Sequence, residues 1–207
     1  MVEVTVAKSF SELMGAFEVA HDAFVGEGII SPRQAGVFFH PQSLGYNALM
    51  VIAKEDNIVI GTTGAILDST AGFPLDNVFG SELNRIRRRH PRIAELGMIA
   101  SRDRLDSHVI DQMICIGWWW AEEMGAKYIV TSCHPHHSRF YIRRYGVKPI
   151  SVTKKYPKFN DALVDLLGGS MEDGLASKRG GRMLQDYKPE EDFFNGRFTA
   201  EVSVGVS

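Results

Sequence analysis

The stretch that decides the fold runs from residue 94 to residue 150. It reads AELGMIAS at 94–101, YIVTSC at 128–133 and HPHHSRFYIRRYGVKPI at 134–150. Between the first two segments, apolar residues recur at spacings of three and four, which is the period of one buried helix face. YIVTSC has the β-branched and aromatic content of a buried strand. The predicted order is therefore strand, helix, strand, helix, strand.

Turn residues mark the ends of these elements. Gly146 is typical of the left-handed residue that ends a helix. The His134-Pro135 step ends the middle strand, because a residue before proline avoids the α region. Parallel strands joined by a crossover helix carry functional residues at their carboxyl ends. We therefore expect the chemistry in the loops around Ser101 and Cys133.

The flanking sequence predicts further elements. Residues 2–7 alternate like a strand, and residues 9–25 have the period of a helix. Residues 48–54 and 58–67 form a predicted hairpin around Glu55-Asp56-Asn57. Residues 26–46 are predicted to pack as a lid or a second short helix, and residues 68–92 form an insertion before the central strand.

Composition limits the classes of protein to consider. The 207 residues suit one substantial core, and the net charge of −2 with 44% hydrophobic residues gives no general attraction to nucleic acid. Two cysteines form no disulfide framework and indicate a reducing compartment. No signal peptide and no apolar run of about 20 residues is evident, so we expect a cytoplasmic protein without a membrane span.

Residues 94–101 and 134–150 resemble the GCN5-related N-acetyltransferase (GNAT) fold. More specifically, they resemble the long-chain N-acyl amino acid synthases, relatives of the acyl-homoserine-lactone synthases. The corresponding stretches of that family run roughly A-E-V/L-x-x-L/I-A and H-P-R/K-H-x-x-F-Y-x-x-x-L/Y-G-F/V-x-P-I/L. The resemblance covers about residues 5–155 and extends to the insertion at 68–92, which those synthases also carry.

This resemblance implies an α/β, GNAT-like (acyl-CoA N-acyltransferase) fold. We expect a mixed, mostly antiparallel central sheet that is splayed at its centre and flanked by helices on both faces. The predicted acyltransferase domain spans residues 1–156. Residues 157–207 are predicted to be a Gly- and charge-rich extension, either mobile or packed on the domain or on a neighbour.

Glu95 is the predicted catalytic base. Acyl transfer from a thioester to an amine needs a neutral amine, a cradle for the oxyanion and a proton for the leaving thiolate. A carboxylate at the mouth of the sheet can take the ammonium proton, and the resembling family carries a glutamate there. The alternative is a structural Glu95 in a salt bridge with Arg92 or Arg102.

Tyr141 is the predicted acid for the leaving thiolate, and an aromatic core residue beside Phe140 is the alternative. The predicted oxyanion cradle consists of backbone amides at Gly97, Met98 and Ile99, where the glycine allows the strand to splay.

The sequence after the central strand predicts the donor. Acetyl-CoA-using relatives have a glycine-rich loop there, whose amides hold a pyrophosphate. This chain has SRDRLD at 101–106, with two aspartates and no glycine. We therefore predict no tightly bound cofactor and an acyl-phosphopantetheine donor on an acyl carrier protein, in preference to acyl-CoA. Arg102 or Arg104 would hold its single phosphate, with plain surface charge as the alternative.

An arginine-rich segment predicts carrier docking. Arg85, Arg87, Arg88 and Arg89 would attract an acidic acyl carrier protein, and a solvated helix face is the alternative. No metal site is predicted. Three histidines, His134, His136 and His137, lie on one tight turn without a second cluster of ligands, and a role in capping the following helix is favoured.

The sequence therefore predicts an N-acyltransferase that moves an acyl group from an acyl carrier protein to the amine of an amino acid or a similar small molecule. An acetyl-CoA-dependent N-acetyltransferase of the same fold is the first alternative. A non-catalytic acyl-carrier-binding or sensor module is the second. A homoserine-lactone synthase is disfavoured, because the N-terminal half lacks that group's Arg-Phe-Trp signature. The amine, the acyl length and the oligomeric state stay open.

Overall fold

One sheet of eight strands runs through the chain, and helices cover both of its faces. The computed structural model describes residues 1–102 and 105–198. The strands are β1 (Glu3–Val6), β2 (Ala48–Glu55), β3 (Ile58–Leu67), β4 (Ile93–Ser101), β5 (Tyr128–Cys133), β6 (Lys148–Pro149), β7 (Lys154–Tyr156) and β8 (Ala162–Gly169). The helices are α1 (Phe10–Gly26), α2 (Asp76–Arg87), α3 (Ser107–Glu123), α4 (Pro135–Tyr145), α5 (Met171–Ala176) and α6 (Gly180–Asp186).

The strand order is β1-β2-β3-β4-β5-β8-β6, and β7 also pairs with β8. Across the described ranges, β4 and β5 are the one parallel pair, and the other neighbours are antiparallel. The predicted mixed, mostly antiparallel sheet is therefore confirmed, as is the predicted order of elements between residues 94 and 150.

A β-bulge interrupts β4. Thr62 pairs with Ala100 and Gly64 pairs with Gly97, so β4 has one residue more than β3 between these two pairs. Met98, inside the bulge, takes a left-handed φ of 52°. An extra residue of this kind bends its strand and leaves backbone groups outside the ladder.

The sheet also opens between its two parallel strands. The pairing of β4 with β5 covers Ile93 to Leu96 on β4 and ends at Thr131 on β5. Beyond this point the two strands separate, as predicted, and their carboxyl ends form the walls of a cleft.

Alternating residues of β2 build a core on each face of the sheet. Val51 and Ala53 pack in the cluster that contains α3, whereas Met50 and Ile52 pack in the cluster that contains α1. A third cluster joins α2 to the start of β4 and β5. The helices are fixed to the sheet because each buries its apolar stripe there.

Local capping sets the ends of the helices. The Ser9 side chain accepts a hydrogen bond from the backbone N–H of Glu12 and caps α1. His134 caps α4 by accepting from the N–H of His136, which is the predicted capping role. Gly146 ends α4 with a φ of 74°, a conformation that glycine adopts without a steric penalty.

Residues 157–198 of the predicted C-terminal extension belong to the fold, and residues 199–207 lie outside the described residues. β8 pairs with β5 inside the sheet, so the predicted domain boundary after residue 156 is corrected, because it falls before a central strand. Helix α6 packs over α3, where Trp119 Nε1 donates to the carbonyl oxygen of Leu184 at 2.7 Å. The described ranges contain no helix with the length and apolar character that a membrane span requires.

Candidate active site

A cavity of about 710 Å³ opens where β4 and β5 separate. Residues 97–101 of β4 form one wall, and the end of β5 with the first turns of α4 forms the other. The loop before α2 and part of α1 close the sides. Glu95 and Tyr141, which are remote in sequence, both line this cleft.

The carboxyl group of Glu95 lies at the base of the cleft and is buried, with 5% of the residue exposed. Its Oε2 accepts a hydrogen bond from the backbone N–H of Leu75 at 3.3 Å. Burial raises the pKa of this carboxyl to about 8; the Leu75 N–H and the Arg87 charge oppose the rise, and the Asp76 charge adds to it. The carboxyl is therefore set up to exchange a proton near neutral pH.

The alternative salt bridges of Glu95 do not form. Arg92 donates to the carbonyl oxygen of Met124 at 2.9 Å. Arg102 pairs with Glu18 at 3.3 Å and with Asp22 at 3.4 Å, both on α1. Glu95 is therefore free of a direct arginine partner in the described part of the chain, which distinguishes it from a structural ion-pair residue.

Arg87 organises the loop that contacts Glu95. Its guanidinium group binds both carboxylate oxygens of Asp68, at 2.7 and 2.8 Å, and both of Asp76, at 2.7 Å each. Asp76 in turn accepts from the N–H of Phe73 at 2.7 Å. These contacts fix the loop and direct the N–H of Leu75 toward Glu95.

The role predicted for Arg87 is therefore corrected. Its guanidinium is occupied by two carboxylates, so it has no free charge to offer a docking partner. Arg85, Arg88 and Arg89 are exposed, and we call these three the arginine patch. The patch lies near the start of β4, where His90 stacks on Tyr128 with ring centroids 4.6 Å apart.

The bulged segment of β4 lines the cleft beside Glu95. Gly97, Met98 and Ile99 all contribute to the wall. A Cβ atom on Gly97 would lie 3.5 Å from Glu95 Oε1 and would have no other neighbour within 4 Å. The segment predicted to polarise the thioester carbonyl is therefore directly adjacent to the predicted base.

Tyr141 lines the opposite wall and is partly buried. Burial, and after it the neighbouring Cys133, raises the pKa of the Tyr141 phenol above its ordinary value. The phenol therefore keeps its proton at neutral pH and can donate a hydrogen bond to a developing thiolate. Its ring lies 5.8 Å from that of Tyr145, between centroids.

A buried ion pair holds α4 against α3. Asp111 accepts from the Tyr145 hydroxyl at 2.7 Å and from Arg144 Nε at 2.6 Å, and Arg144 Nη2 contacts its second oxygen. Asp111 is only 2% exposed. Because Arg144 and Tyr145 follow Tyr141 by one helical turn, this pair fixes the turn that carries the predicted acid.

Cys133 lies in the cleft but is a poor candidate nucleophile. Its Sγ is 3.5 Å from the hydroxyl oxygen of Ser138, which donates to Asp165 of β8. Burial raises the pKa of the Cys133 thiol, and the Ser138 hydrogen bond only partly opposes this. A protonated thiol is a weak nucleophile.

The other side chains considered for binding a phosphate or a metal do not form one site in the described residues. Arg102 is engaged in its exposed ion pairs with α1, and Arg104 lies outside the described residues. The rings of His134, His136 and His137 cluster at the start of α4, with centroids 4.4 and 3.7 Å apart along the series. The described residues contain no group of three or more side chains arranged to hold a metal ion.

A second cavity of about 530 Å³, which the sequence did not predict, adjoins the cleft. His40, Pro74, Tyr156 and Phe159 line both spaces. Its formation depends on the segment at 26–46 and on residues after 155, and no local pattern connects these two parts of the sequence. The signal available in the sequence was Arg33 and Lys158, two cations in the cavity wall that have no carboxylate partner among the described residues.

Comparison with known proteins places this geometry in context. The family model described as N-acyl amino acid synthase FeeM matches residues 15–167. No curated protein sequence matches the chain. Among solved structures, FeeM, an N-acyl amino acid synthase from uncultured soil microbes, superposes with a TM-score of 0.75 and 19% identity, covering 86% of this chain and 94% of that one.

Two further structures show the same fold. BjaI, a CoA-dependent acyl-homoserine lactone synthase solved with MTA, gives a TM-score of 0.62 at 16% identity, covering 90% of this chain and 87% of that one. An acyl-CoA N-acyltransferase from Pseudomonas aeruginosa gives 0.59 at 15% identity, covering 82% and 100%. The predicted GNAT-like fold is therefore confirmed.

Proposed function

Because the chain belongs to the N-acyl amino acid synthase FeeM family, we propose that it transfers an acyl group from a carrier-bound thioester to the amine of an amino acid or a similar small molecule. Membership of this family makes the chain an N-acyltransferase. The proposal concerns its donor, its acceptor and its catalytic residues. The observation that carries it is the cleft with a buried carboxyl on one wall and a protonated phenol on the other.

The proposed reaction is a single acyl transfer. The amine nitrogen attacks the thioester carbonyl carbon, a C–N bond forms, and the C–S bond then breaks. The ammonium proton passes to Glu95, directly or through a water. Backbone N–H groups of residues 97–99 polarise the carbonyl oxygen as negative charge develops on it. Tyr141 donates a hydrogen bond to the leaving sulfur, the second proton lost by the nitrogen leaves with the thiol, and Glu95 returns its own proton to solvent.

Electrostatics suit Glu95 for this role once the substrate is bound. With a pKa of about 8, the carboxyl is ionised in roughly one molecule in ten at pH 7. A nearby ammonium group favours the ionised carboxylate, because opposite charges at close range lower a carboxyl pKa. Substrate binding therefore lowers this pKa toward the working pH and raises the fraction of molecules in which Glu95 is ready to accept a proton.

For the donor, we propose an acyl carrier protein in preference to CoA. The run from 101 to 106 has two aspartates and no glycine, which suits a single phosphodiester better than a diphosphate. An acyl-CoA donor is the second candidate, and the likeness to a CoA-dependent lactone synthase favours it. The free thiols of Cys115 and Cys133 support a reducing, cytoplasmic setting for either donor.

Two surfaces are candidates for carrier docking. The arginine patch, proposed from the sequence, precedes β4, a strand about 26 Å long from Ile93 to Ser101 at eight steps of 3.3 Å each. The second is the α4 stripe, formed by His136, Arg139, Phe140 and Arg143. Its spacing puts these residues on one exposed face, and His136 and Phe140 also line the cleft.

The function is tested by offering the purified protein one acyl chain on two carriers. Acyl carrier protein and CoA, each loaded with the same long chain, are incubated with a mixture of amino acids, and products are identified by mass spectrometry. We expect an N-acyl amino acid from the carrier protein at a kcat/KM above that from CoA. A reversed preference would establish the CoA donor, and no N-acylated product from either donor would contradict the proposal.

Docking is tested with two variants of equal charge change. One reverses Arg85 and Arg88 to Glu, and the other reverses Arg139 and Arg143 to Glu. The variant that breaks docking raises the KM for acyl carrier protein several-fold, more at low salt than at high salt, and leaves a small pantetheine thioester unaffected. Equal losses with both donors would mean that the changed residues support the fold or the cleft instead.

A further inference from the structure

We propose that the second cavity is the carboxylate-binding part of the acceptor site, where Arg33 and Lys158 hold the carboxylate of an amino acid whose amine faces Glu95. This inference rests on the proposed function, since it assigns an orientation to the acceptor of that reaction. The charges of the cavity and the wall that it shares with the cleft support this orientation.

Two cations face the cavity without a carboxylate partner. Arg33 lies with its Cζ 4.7 Å from the centroid of the Phe38 ring, and Lys158 Nζ is 3.3 Å from the amide oxygen of Asn77. Over residues 1–102 and 105–198, neither cation has an acidic oxygen within ion-pair distance. Asp76 also lines the cavity, and its carboxylate is held in the ion pair with Arg87.

Both cations act electrostatically on His40, which lies in the wall that the cavity and the cleft share. Burial, and after it the charges of Arg33 and Lys158, together lower the pKa of His40 to about 4. His40 is therefore neutral, and the positive charges that act on it at the wall are those of Arg33 and Lys158. An anion in the cavity would gain from both charges at once, and a planar guanidinium matches a carboxylate in geometry.

The shared wall connects the cavity to the predicted base. Tyr156 lines both spaces, and its hydroxyl donates to the carbonyl oxygen of Pro74 at 2.8 Å. Burial raises the pKa of Tyr156, and the nearby Glu95 carboxylate adds to the rise. Pro74 precedes Leu75, whose N–H contacts Glu95. A carboxylate bound at the cations thus orients its own amine toward the cleft.

The main test compares each amino acid with its carboxamide, which keeps the side chain and amine but lacks the negative charge. We expect the parent to prefer the acid, and the double variant Arg33→Gln with Lys158→Gln to lose about tenfold or more of that preference through the KM of the acid. The carboxamide should react similarly with both proteins. A control variant, Lys155→Gln with Arg182→Gln, removes the same charge at exposed sites outside either cavity.

A series of α-, β- and γ-amino acids then measures how far the cations lie from the reacting amine, because one spacer length should give the lowest KM. An unchanged acid-to-amide ratio in the double variant would overturn the inference. A rise in the KM for the acyl donor, with none for the acid, would assign the cations to the donor's phosphate and would also overturn it.

Calorimetric titration without donor separates this inference from the proposed function. If amino acids bind in a carboxylate-dependent manner that the double variant abolishes, the site is supported even when no acyl transfer occurs. If acyl transfer occurs but acid and amide bind equally well, the inference fails while the proposed function stands.

Discussion

An arginine–carboxylate ion pair holds each wall of the cleft in place. The pair is buried at the α4 wall and partly exposed beside the β4 wall. Tyr141 depends on α4, which Arg144 and Tyr145 fasten to Asp111, a residue 2% exposed. Glu95 depends on the loop at 68–76, which Arg87 fastens through Asp68 and Asp76, and the Arg87 side chain is 24% exposed. The energetic consequences of breaking the two contacts should therefore differ.

Burial determines how much an ion pair matters when one partner is removed. A charge left alone in the interior retains its full desolvation penalty, whereas a charge left alone near the surface is rehydrated. The α4 wall should fail by unfolding, and the β4 wall should remain folded while its proton chemistry changes.

Asp111→Asn should lower the free energy of unfolding by about 3 kcal/mol, because it leaves the Arg144 charge without its buried partner. Chemical denaturation monitored by tryptophan fluorescence measures this, since Trp118 and Trp120 are buried on the same helix. The matched control is Asp106→Asn at the exposed start of α3, which should leave the denaturation midpoint near that of the parent. Similar midpoints for both variants would contradict the proposed importance of the buried pair.

Glu95→Gln should lower turnover by about 10²-fold or more while the protein stays folded, because that is the usual loss when a general base is removed. The parent's kcat/KM should rise with pH and level off above about pH 8, the pKa that burial gives Glu95. The variant should lack this rise. Steady-state kinetics at saturating amine measure turnover, and rates over a range of amine concentrations at each pH give kcat/KM. Unchanged turnover would remove Glu95 from the mechanism.

The same substitution should affect stability in a pH-dependent way. The folded-state pKa of Glu95 is raised from 4.5 to about 8, so the folded protein binds this proton more tightly than the unfolded chain does. The resulting stability is fully present below about pH 4.5 and is lost as pH rises toward 8. Glu95→Gln should therefore be more stable than the parent at pH 9 by roughly 5 kcal/mol, relative to their difference at pH 4, since each pKa unit corresponds to about 1.4 kcal/mol. A pH-independent difference between the two proteins would argue against a strongly raised pKa.

Arg87→Gln should cost about 1 kcal/mol of stability, since its carboxylate partners are partly exposed and can be rehydrated. Its clearer effect should be on the pH profile. The Arg87 charge lowers the pKa of Glu95, and the Asp76 charge raises it, so losing the arginine should move the acid limb of kcat/KM to higher pH. Comparing both proteins with one substrate cancels the substrate's own ionisation. A shift to lower pH would show that Arg87 does not act on Glu95 as proposed.

The β4–α3–β5–α4 segment and the residues that line its cleft were predictable because their signals are local. Helical spacing, the His134-Pro135 step and Gly146 each act within a few residues, and so does the glycine before the bulge at Met98. β8 was missed because a strand that ends in Gly168-Gly169 looks like a flexible segment until its pairing with β5 is known.

Long-range partners account for the other differences. Arg87, Arg88 and Arg89 are consecutive and chemically identical, yet only Arg87 meets Asp68 and Asp76. No property of the arginines themselves distinguishes them. Arg33 and Lys158 are likewise indistinguishable from other cations in the sequence. They share a cavity only because the segment at 26–46 and the chain after β7 fold against each other.

The smallest expected effects separate two tyrosines on one helix. Tyr141→Phe should reduce turnover only a few-fold, because a thiol with a reference pKa of about 8.5 leaves tolerably without an acid, and stability should change little. Tyr145→Phe should do the opposite: it removes a 2.7 Å hydrogen bond to Asp111, costs about 1 kcal/mol of stability and leaves turnover near that of the parent. Each variant is therefore the control for the other, since both lose one hydroxyl from neighbouring turns.

If Tyr141→Phe lost more turnover than Glu95→Gln, departure of the thiolate rather than deprotonation of the amine would be the difficult step. If both tyrosine variants lost stability but kept their turnover, Tyr141 would be a packing residue, and the α4 wall would supply only shape to the cleft.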